Sequence, residues 1–259
     1  MSGHSKWAGI KHKKAIVDAR RGQVFTKVTR ELTVAAREGG PDVEGNFRLR
    51  LAIQKAREVN MPADNIDRAI QRGAGGKDGV QLEEVRYEGY GPHGVAVMVD
   101  TLTDNRNRTV AGIRNAFTRA GGALGEANSV AWMFNQQGLI AIEAGQRDPD
   151  ELALELLDVV DVGEDGDVSV DGDEVVVTVA PSRFEEVRRT LEEHDYTIDN
   201  AEVTMNPTTS VPLDASQARQ VLRLLDGLEE HDDVQQVYAN VEIPDEVLAQ
   251  VRSRIMTSV

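Results

Sequence analysis

The chain has 259 residues and a formal net charge of −15, with 40% hydrophobic residues, 4% aromatic residues and no cysteine. This length suffices for two or three domains with aliphatic cores. The absence of cysteine excludes disulfides, thiolate metal sites and cysteine nucleophiles. The sequence contains no apolar run close to the roughly 20 residues of a membrane-spanning helix, and no signal-peptide core near its start. We therefore expect a cytoplasmic protein that has no membrane partner.

Charge is distributed unevenly along the chain. Residues 1–80 contain 16 Lys and Arg against nine Asp and Glu, a net charge of +7. The remaining residues contain 13 Arg, no Lys and 35 Asp and Glu, a net charge of −22. A positive segment on an otherwise acidic chain is typical of a module that contacts nucleic acid. The opening stretch GHSKWAGIKHKKA (3–15) is the clearest instance, because it has four lysines and no acid.

Three helices are predicted in this positive segment. In RRGQVFTKVTRELTVAAREGG (20–40) the apolar residues recur every three or four positions before a glycine pair, and Lys27, Arg30 and Arg37 share another face. The stretches NFRLRLAIQKAREVN (46–60) and MPADNIDRAIQRG (61–73) predict the second and third helices, with Gly73 as the stop of the third. GAGGKDG then resembles a flexible linker. Residues 1–76 are expected to form a basic helical nucleic-acid-binding domain.

After the linker the apolar pattern changes to that of strands mixed with helices. GVAVMVDTL (94–102) predicts a strand, NRTVAGIRNAFTRAGG (107–122) a helix, and SVAWMF (129–134) another strand. Residues 134–207 follow the order β-α-β-β-α-β of the ferredoxin-like unit, and a later helix and strand complete a similar unit. The expected class is α+β with three domains. These are the helical domain (1–76), a discontinuous ferredoxin-like α/β domain (77–133 and 208–259) and an inserted ferredoxin-like domain (134–207).

Sequence patterns that suggest catalysis or metal binding fail on their context. GYGPHG (89–94) matches G-x-G-x-x-G, but it leads into a strand and Pro92 has no N–H for a phosphate. The acidic run DVGEDGDVSVDGDE (161–174) lacks the spacing of a calcium loop, and the five histidines lack zinc-ligand spacing. We therefore expect no enzyme activity, no catalytic residue, no metal, no cofactor and no small-molecule substrate.

The opening segment offers cations for phosphates and one aromatic ring. Each cation could release a counterion from a phosphate, so binding should depend strongly on salt. Trp7 either stacks on an unpaired base or anchors the segment to the helical domain, and the lysines either contact phosphate or only keep the segment soluble. The candidate nucleic-acid-binding residues here are His4, Lys6, Trp7, Lys11, Lys13, Lys14, Arg20 and Arg21, together with Lys27 and Arg30.

A second candidate site is TDNRNRT (103–109), directly before a predicted helix. Its amides and guanidinium groups beside a helix N-terminus suit phosphate or RNA-edge contacts. The alternative is an ordinary helix cap, with the arginines paired to carboxylates; both interpretations stay open. For YEGYGPHG (87–94) a turn is favoured over a stacking edge. The candidate residues are Asn105, Arg106, Asn107 and Arg108.

Five stretches together resemble the YebC/PmpR family. The resemblance implies one helical and two α/β domains, one of them discontinuous. Members of that family are described as DNA-binding transcriptional regulators, whereas others act on translation at the ribosome, including relief of stalling, and mitochondrial relatives include a translational activator of a cytochrome oxidase subunit. The stretches are GHSKWAGIKHKKAIVDARRGQVFTKVTREL (3–32), NMPADNIDRAIQRG (60–73), YEGYGPHGVAVMVD (87–100), TDNRNRT (103–109) and GGALGEANSVAWMF (121–134). The family's basic head corresponds here to His4, Lys6, Trp7, Lys11, Lys13, Lys14 and Arg21, and its asparagine-arginine loop to residues 105–109.

The expected function is a non-enzymatic, nucleic-acid-binding regulator of gene expression, with a DNA-binding transcriptional regulator placed first. One alternative is a translation factor that binds ribosomal RNA or the ribosome, and another is a protein-interaction scaffold. A DNA-recognition helix presents Asn, Gln or Arg at its N-terminus, as Asn46, Arg48 and Arg50 would. An exposed arm with Trp7 instead favours irregular RNA. Charge does not decide between duplex DNA and RNA.

Overall fold

The computed structural model describes residues 21–75, 82–243 and 247. These residues separate into two compact units. The inserted unit contains residues 132–215 and 240–243, and the basal unit contains residues 21–75, 82–131 and 216–239. Each unit holds helices and an antiparallel four-stranded sheet, which confirms the α+β class. The predicted linker lies largely outside the described residues.

The basal unit begins with a three-helix bundle, as the apolar spacing predicts. Its helices are α1 (Arg21–Gly39), α2 (Phe47–Glu58) and α3 (Ala63–Ala74). They bury one aliphatic cluster that includes Val28, Leu32 and Leu49. Because burial of each such side chain contributes about 1.5 to 3 kcal/mol, the cluster accounts for the association of the three helices.

Gly73 does not end α3, contrary to the sequence prediction. The helix continues to Ala74, and Gly73 is buried within it. A Cβ at this position would overlap the Thr33 carbonyl oxygen and lie 2.9 Å from the Ala36 Cβ. Gly73 is therefore required for the close approach of α3 to α1 rather than for a helix stop.

The chain then alternates between sheets and helices. The first elements are β1 (Glu83–Tyr90), β2 (Ala96–Thr103), α4 (Arg106–Arg119) and β3 (Ala123–Leu124). The inserted unit follows with β4 (Phe134–Glu143), α5 (Pro149–Val159), β5 (Asp167–Asp171), β6 (Glu174–Val179), α6 (Phe184–Glu193), β7 (Ile198–Pro207) and β8 (Val211–Pro212). The last described elements are α7 (Ala215–Glu229), β9 (Val234–Ala239) and β10 (Val241–Glu242).

The inserted unit has the ferredoxin-like topology predicted for residues 134–207. Its strands have the order β5-β6-β4-β7 with antiparallel neighbours, and α5 and α6 complete the β-α-β-β-α-β sequence. The predicted hairpin turn is present, with Gly172 at φ +65°. Strand β6 is buried along most of its length, and Val175 and Val177 are inaccessible to solvent.

The sheet of the basal unit has the order β3-β1-β2-β9, again with antiparallel neighbours. Strand β2 is buried along nearly its whole length, as its continuous apolar pattern predicts. Helix α4, helix α7 and strand β9 occupy the positions predicted for them. The prediction of a strand at SVAWMF is wrong except for its last residue, since a 3-10 turn (Ala131–Met133) precedes β4.

Strand β1 is absent from the sequence prediction, which favoured only a turn after residue 87. Its sequence EEVRYEGY is charged at half of its positions and lacks an apolar alternation. Those charges find partners in the folded chain: Arg86 donates to Asp100 of β2 at 2.6 and 2.9 Å. The predicted turn does follow the strand, with His93 at φ +63° between Gly91 and Gly94.

Candidate nucleic-acid interface

The predicted nucleic-acid-binding residues divide into two groups. One group lies outside the described residues, and the described group lies in the basal unit on α1 and at the start of α4. Arg21 opens α1. For both groups, contact with nucleic acid stays a prediction. Outside the described residues are His4, Lys6, Trp7, Lys11, Lys13, Lys14 and Arg20; the described candidates are Lys27, Arg30, Asn105, Arg106, Asn107 and Arg108.

The polar face of α1 packs on the segment that joins α7 to β9, which we call the α7–β9 loop (229–233). Lys27 Nζ donates to the carbonyl oxygen of Glu229 at 2.6 Å. Arg30 Nη1 donates to the carbonyl oxygen of Asp232 at 2.5 Å and to Asp233 Oδ1 at 2.9 Å. Cations at the C-terminal end of a helix are stabilising, because the last carbonyls carry a partial negative charge. Lys27 therefore holds α1 against the end of α7, and Arg30 holds it against the loop that follows.

Asp233 is the centre of a buried polar cluster in the same place. Its side chain is 1% exposed and accepts hydrogen bonds from Arg30, Arg108 and Thr109. Burial acts to raise the pKa of Asp233, but the hydrogen bonds from Arg108 and Thr109 and the attraction of both arginines outweigh it and lower the pKa. The carboxylate therefore stays ionised and fixes both guanidinium groups.

The start of α4 is a well-formed helix cap. Asn105 Oδ1 accepts from the Arg108 backbone N–H at 3.1 Å, and the Asn105 N–H donates to Thr103 Oγ1 at 2.9 Å. Arg106 pairs with Glu83 at 2.7 Å, and both of these side chains are exposed. The capping interpretation of TDNRNRT thus has a clear structural basis in Asn105. Capping does not, however, account for all the N–H donors of the two arginines.

Arg108 keeps part of its guanidinium open to solvent. Its Nη2 alone makes the described contacts, to Asp104 at 2.6 Å and to Asp233 at 3.0 and 2.9 Å. The hydrogen bonds to Asp233 and Asp104 raise the pKa of Arg108. The side chain is 50% exposed, and Nη1 and Nε have no hydrogen bond to any described residue. A guanidinium fixed on one edge and open on the other suits a phosphate oxygen.

Further exposed arginines on the same unit are not among the residues predicted from the sequence. Arg57, Arg72 and Arg114 are exposed and have no ion pair with any described residue. Arg114 follows Asn107 by seven residues, so both lie on one exposed face of α4. This spacing was available in the sequence, whereas the exposure of Arg57 and Arg72 depends on how α2 and α3 pack.

The N-terminus of α2 does not present base-reading side chains, contrary to one sequence-based suggestion. Asn46 is 5% exposed. Its Oδ1 accepts from the Leu49 N–H, and its Nδ2 donates to the carbonyl oxygens of Ala35 and Gly40. Arg48 pairs with Glu38 and Glu84, and Arg50 donates to the carbonyls of Val43 and Glu44. These groups join α2 to its neighbours.

The stretch GEANSVA (125–131) is organised by a buried carboxylate. Glu88 is 4% exposed and accepts from the backbone N–H groups of Asn128, Val130 and Ala131 at 2.8 to 2.9 Å. Such a carboxylate with three amide donors is fully satisfied and positions the loop rather than reacting. Over residues 21–75, 82–243 and 247, no group of three His, Asp or Glu side chains is arranged to hold a metal ion. None of the helices described there combines the length and the apolar character of a membrane span.

Comparison with known proteins assigns the chain to a family. Residues 5–76 match the family model described as the TACO1/YebC protein N-terminal domain, and residues 82–241 match the model described as the TACO1/YebC second and third domain. A solved structure of a conserved hypothetical protein from Aquifex aeolicus is 45% identical. It has a TM-score of 0.79, with 90% of this chain and 94% of that chain covered.

Curated relatives match over nearly their whole length. A protein from Dictyoglomus thermophilum is 51% identical over 249 residues, which cover 96% of this chain and 98% of the relative. A protein from Shewanella oneidensis is 52% identical over 248 residues, with the same coverage. Both relatives are named probable transcriptional regulatory proteins. The chain belongs to the TACO1/YebC family, as the resemblance of its motifs to YebC indicates.

Proposed function

We propose that this protein is a non-enzymatic regulator of gene expression that binds duplex DNA in the cytoplasm. The names of the relatives support a regulatory role. The division of charge carries the nucleic-acid part of the proposal: residues 1–80 have a net charge of +7, and the rest of the chain has −22. Because binding to a polyanion depends on displaced counterions, the positive segment is the part that gains from the contact.

In this proposal the basic head and the basal unit supply the phosphate contacts. The basic head and the exposed arginines of α2 and α3 contribute charge, while Arg108 offers the open edge of an immobilised guanidinium. Asn107 and Arg114 extend the contact along one face of α4. The α4 N-terminus adds a partial positive charge. Asn105 and Asp233 act indirectly, since they cap the helix and orient Arg108.

A salt titration of the full-length protein tests the proposal. A fluorescent DNA duplex and an RNA hairpin of similar length are each titrated with the protein, and anisotropy measures binding between about 50 and 200 mM salt. If the protein contacts six or more phosphates, its affinity should fall at least about a thousandfold over this range. Changing Lys11, Lys13 and Lys14 together to Glu should weaken binding at least about tenfold. Arg114→Gln should weaken binding uniformly across sequences and reduce the salt slope by about one.

Arg189→Gln provides the matched control, because it removes one exposed arginine from α6 of the inserted unit. Its binding should equal that of the wild type. Tighter binding of the RNA hairpin than of the duplex would replace DNA by RNA as the target and favour a translation factor. Absence of binding at low salt, or triple-variant binding equal to the wild type, would overturn the nucleic-acid proposal and favour the protein-interaction scaffold.

A further inference from the structure

Helix α5 of the inserted unit presents leucines on two faces. Leu152 and Leu156 are buried against the sheet, at 1% and 0% exposure. Leu154 and Leu157 point the other way and are 68% and 51% exposed. Residues three apart on a helix are neighbours on its surface, so these two side chains form one apolar stripe. An open depression lined by residues 157–163 continues the stripe past the end of the helix.

Carboxylates surround this leucine stripe. Asp150 and Asp158 lie one helical turn before and after Leu154, and Glu151 lies three residues before it. None of these three side chains forms an ion pair with a residue that the structure describes. The helix itself contains no Lys or Arg. Two neighbouring acids are already committed, Glu155 to Arg147 and Asp161 to Arg183.

The charge of the whole inserted segment restricts what can dock on the stripe. Residues 132–215 contain four Arg, no Lys and 21 Asp and Glu, a net charge of −17. Such a field repels a polyanion and attracts a cationic partner. A second copy of the same face would bring two sets of carboxylates together, which disfavours self-association through this surface. A partner with apolar side chains flanked by Lys or Arg matches both features of the stripe.

We propose that the leucine stripe of α5 docks a cationic amphipathic helix of a protein partner. Leucines of that helix cover Leu154 and Leu157, while its flanking Lys or Arg side chains meet Asp150, Glu151 and Asp158. This surface belongs to the inserted unit, whereas the nucleic-acid interface is proposed for the basal unit. The inserted unit would then select a protein partner, whether or not the basal unit binds DNA.

A peptide titration with the full-length protein tests this inference. The probe is a helical peptide of about 14 residues in which leucines recur every three or four positions and lysines fill the rest. We expect saturable binding that the double change Leu154→Gln and Leu157→Gln weakens at least about tenfold. Asp150→Asn with Asp158→Asn should weaken binding and flatten its salt dependence. These four side chains are exposed, so the variants should fold, which circular dichroism verifies.

A second pair of changes tests whether the peptide binds a specific site or any acidic surface. Glu186→Gln with Glu193→Gln removes the same number of carboxylates from α6, and the peptide should bind this variant like the wild type. Equal loss in both carboxylate variants, or no effect of the two leucine changes, would overturn the proposal. A dimer in sedimentation that disappears with the leucine changes would also overturn it, because the occupant would then be a second copy.

Discussion

The two units use charge in opposite ways. In the basal unit, cations converge on one buried carboxylate: Arg30 and Arg108 both donate to Asp233, which is 1% exposed. In the inserted unit, residues 132–215 hold 21 carboxylates for four arginines, and Asp150, Glu151 and Asp158 beside the exposed stripe of α5 pair with no described cation. The net charge of −15 therefore hides a contrast between a unit whose opposite charges pair with one another and a unit that is strongly acidic.

The difference extends to what an ion pair contributes. In the inserted unit, Arg188 pairs with Glu185 on one helix, and the pairs of Arg147 with Glu155 and of Arg183 with Asp161 span 8 and 22 residues of sequence. The pairs of Asp233 join α1 and α4 to the α7–β9 loop across more than one hundred residues of sequence. Exposed pairs contribute at most about 1 kcal/mol, whereas loss of one partner from a buried pair costs several. Loss of an ion pair should therefore destabilise the basal unit strongly and the inserted unit only slightly.

Asp233→Ala should give the largest effect on stability. It removes the acceptor of both arginines and of the Thr109 hydroxyl, for an expected loss of about 3 kcal/mol in the free energy of unfolding. Hydrogen exchange should show faster opening of peptides 21–39 and 215–229. The matched variant Asp232→Ala leaves the carbonyl that Arg30 contacts in place and should cost less than about 0.5 kcal/mol. Similar losses in both variants would remove the special role of Asp233.

Gly73→Ala should come next, because its Cβ would overlap the Thr33 carbonyl oxygen and force α3 away from α1. We expect a loss of about 1 to 3 kcal/mol, measured by urea unfolding. Gly227 lies in α7, where an added Cβ would meet no described atom within 4 Å, and Gly227→Ala should stabilise by about 0.5 to 1 kcal/mol. Destabilisation of both variants alike would point to a general intolerance of α-helical substitutions.

Acid should weaken the basal unit through Asp233. The net effect of its partners is a lowered pKa in the folded chain, so the carboxylate contributes stability above the unfolded-state pKa of about 3.9. That contribution is lost as pH falls through the lower folded-state pKa. The stability difference between the wild type and Asp233→Asn should therefore be constant above about pH 5 and shrink below about pH 4. A difference that grows on acidification would mean that the folded-state pKa is raised.

Arg188→Gln should give the smallest effect. It removes the pairs with Glu185 and Glu192 from α6, each worth about 0.3 to 0.5 kcal/mol. The loss should shrink in about 1 M salt, because the exposed carboxylates Glu185 and Glu192 are then screened. Thermal unfolding at low and high salt measures it. A loss as large as that of Asp233→Ala would erase the contrast between the two units.

The sequence predicts those parts of the fold that depend on local pattern. The three-to-four spacing of α1 and the strand-helix order of residues 134–207 both lead directly to the observed elements. Strand β1 escapes prediction because its charged residues are satisfied by partners on β2 and by the loop at residues 125–131. The position of Gly73 suggests a helix stop because its real neighbour, Thr33, lies on another helix.

The candidate interface is predictable in composition and not in contacts. Residues 105–108 stand out in the sequence as asparagines and arginines before a helix. The hydrogen bonds of Arg108 and Arg30 to Asp233 cannot be predicted in this way, because Asp233 lies 125 residues beyond Arg108 and 203 residues beyond Arg30. Periodicity could have added Arg114 through its spacing from Asn107. The packing that leaves Arg57 and Arg72 exposed required the folded bundle.

Photochemical crosslinking of the full-length protein to a DNA duplex and an RNA hairpin, followed by peptide mapping, tests the division of labour most directly. We expect crosslinked peptides within residues 3–75 and 105–119, and we expect these crosslinks to disappear as salt is raised. Residues 132–215 should remain unmodified. Crosslinks concentrated in residues 132–215 would contradict it, since the acidic unit would then be the one that meets the nucleic acid.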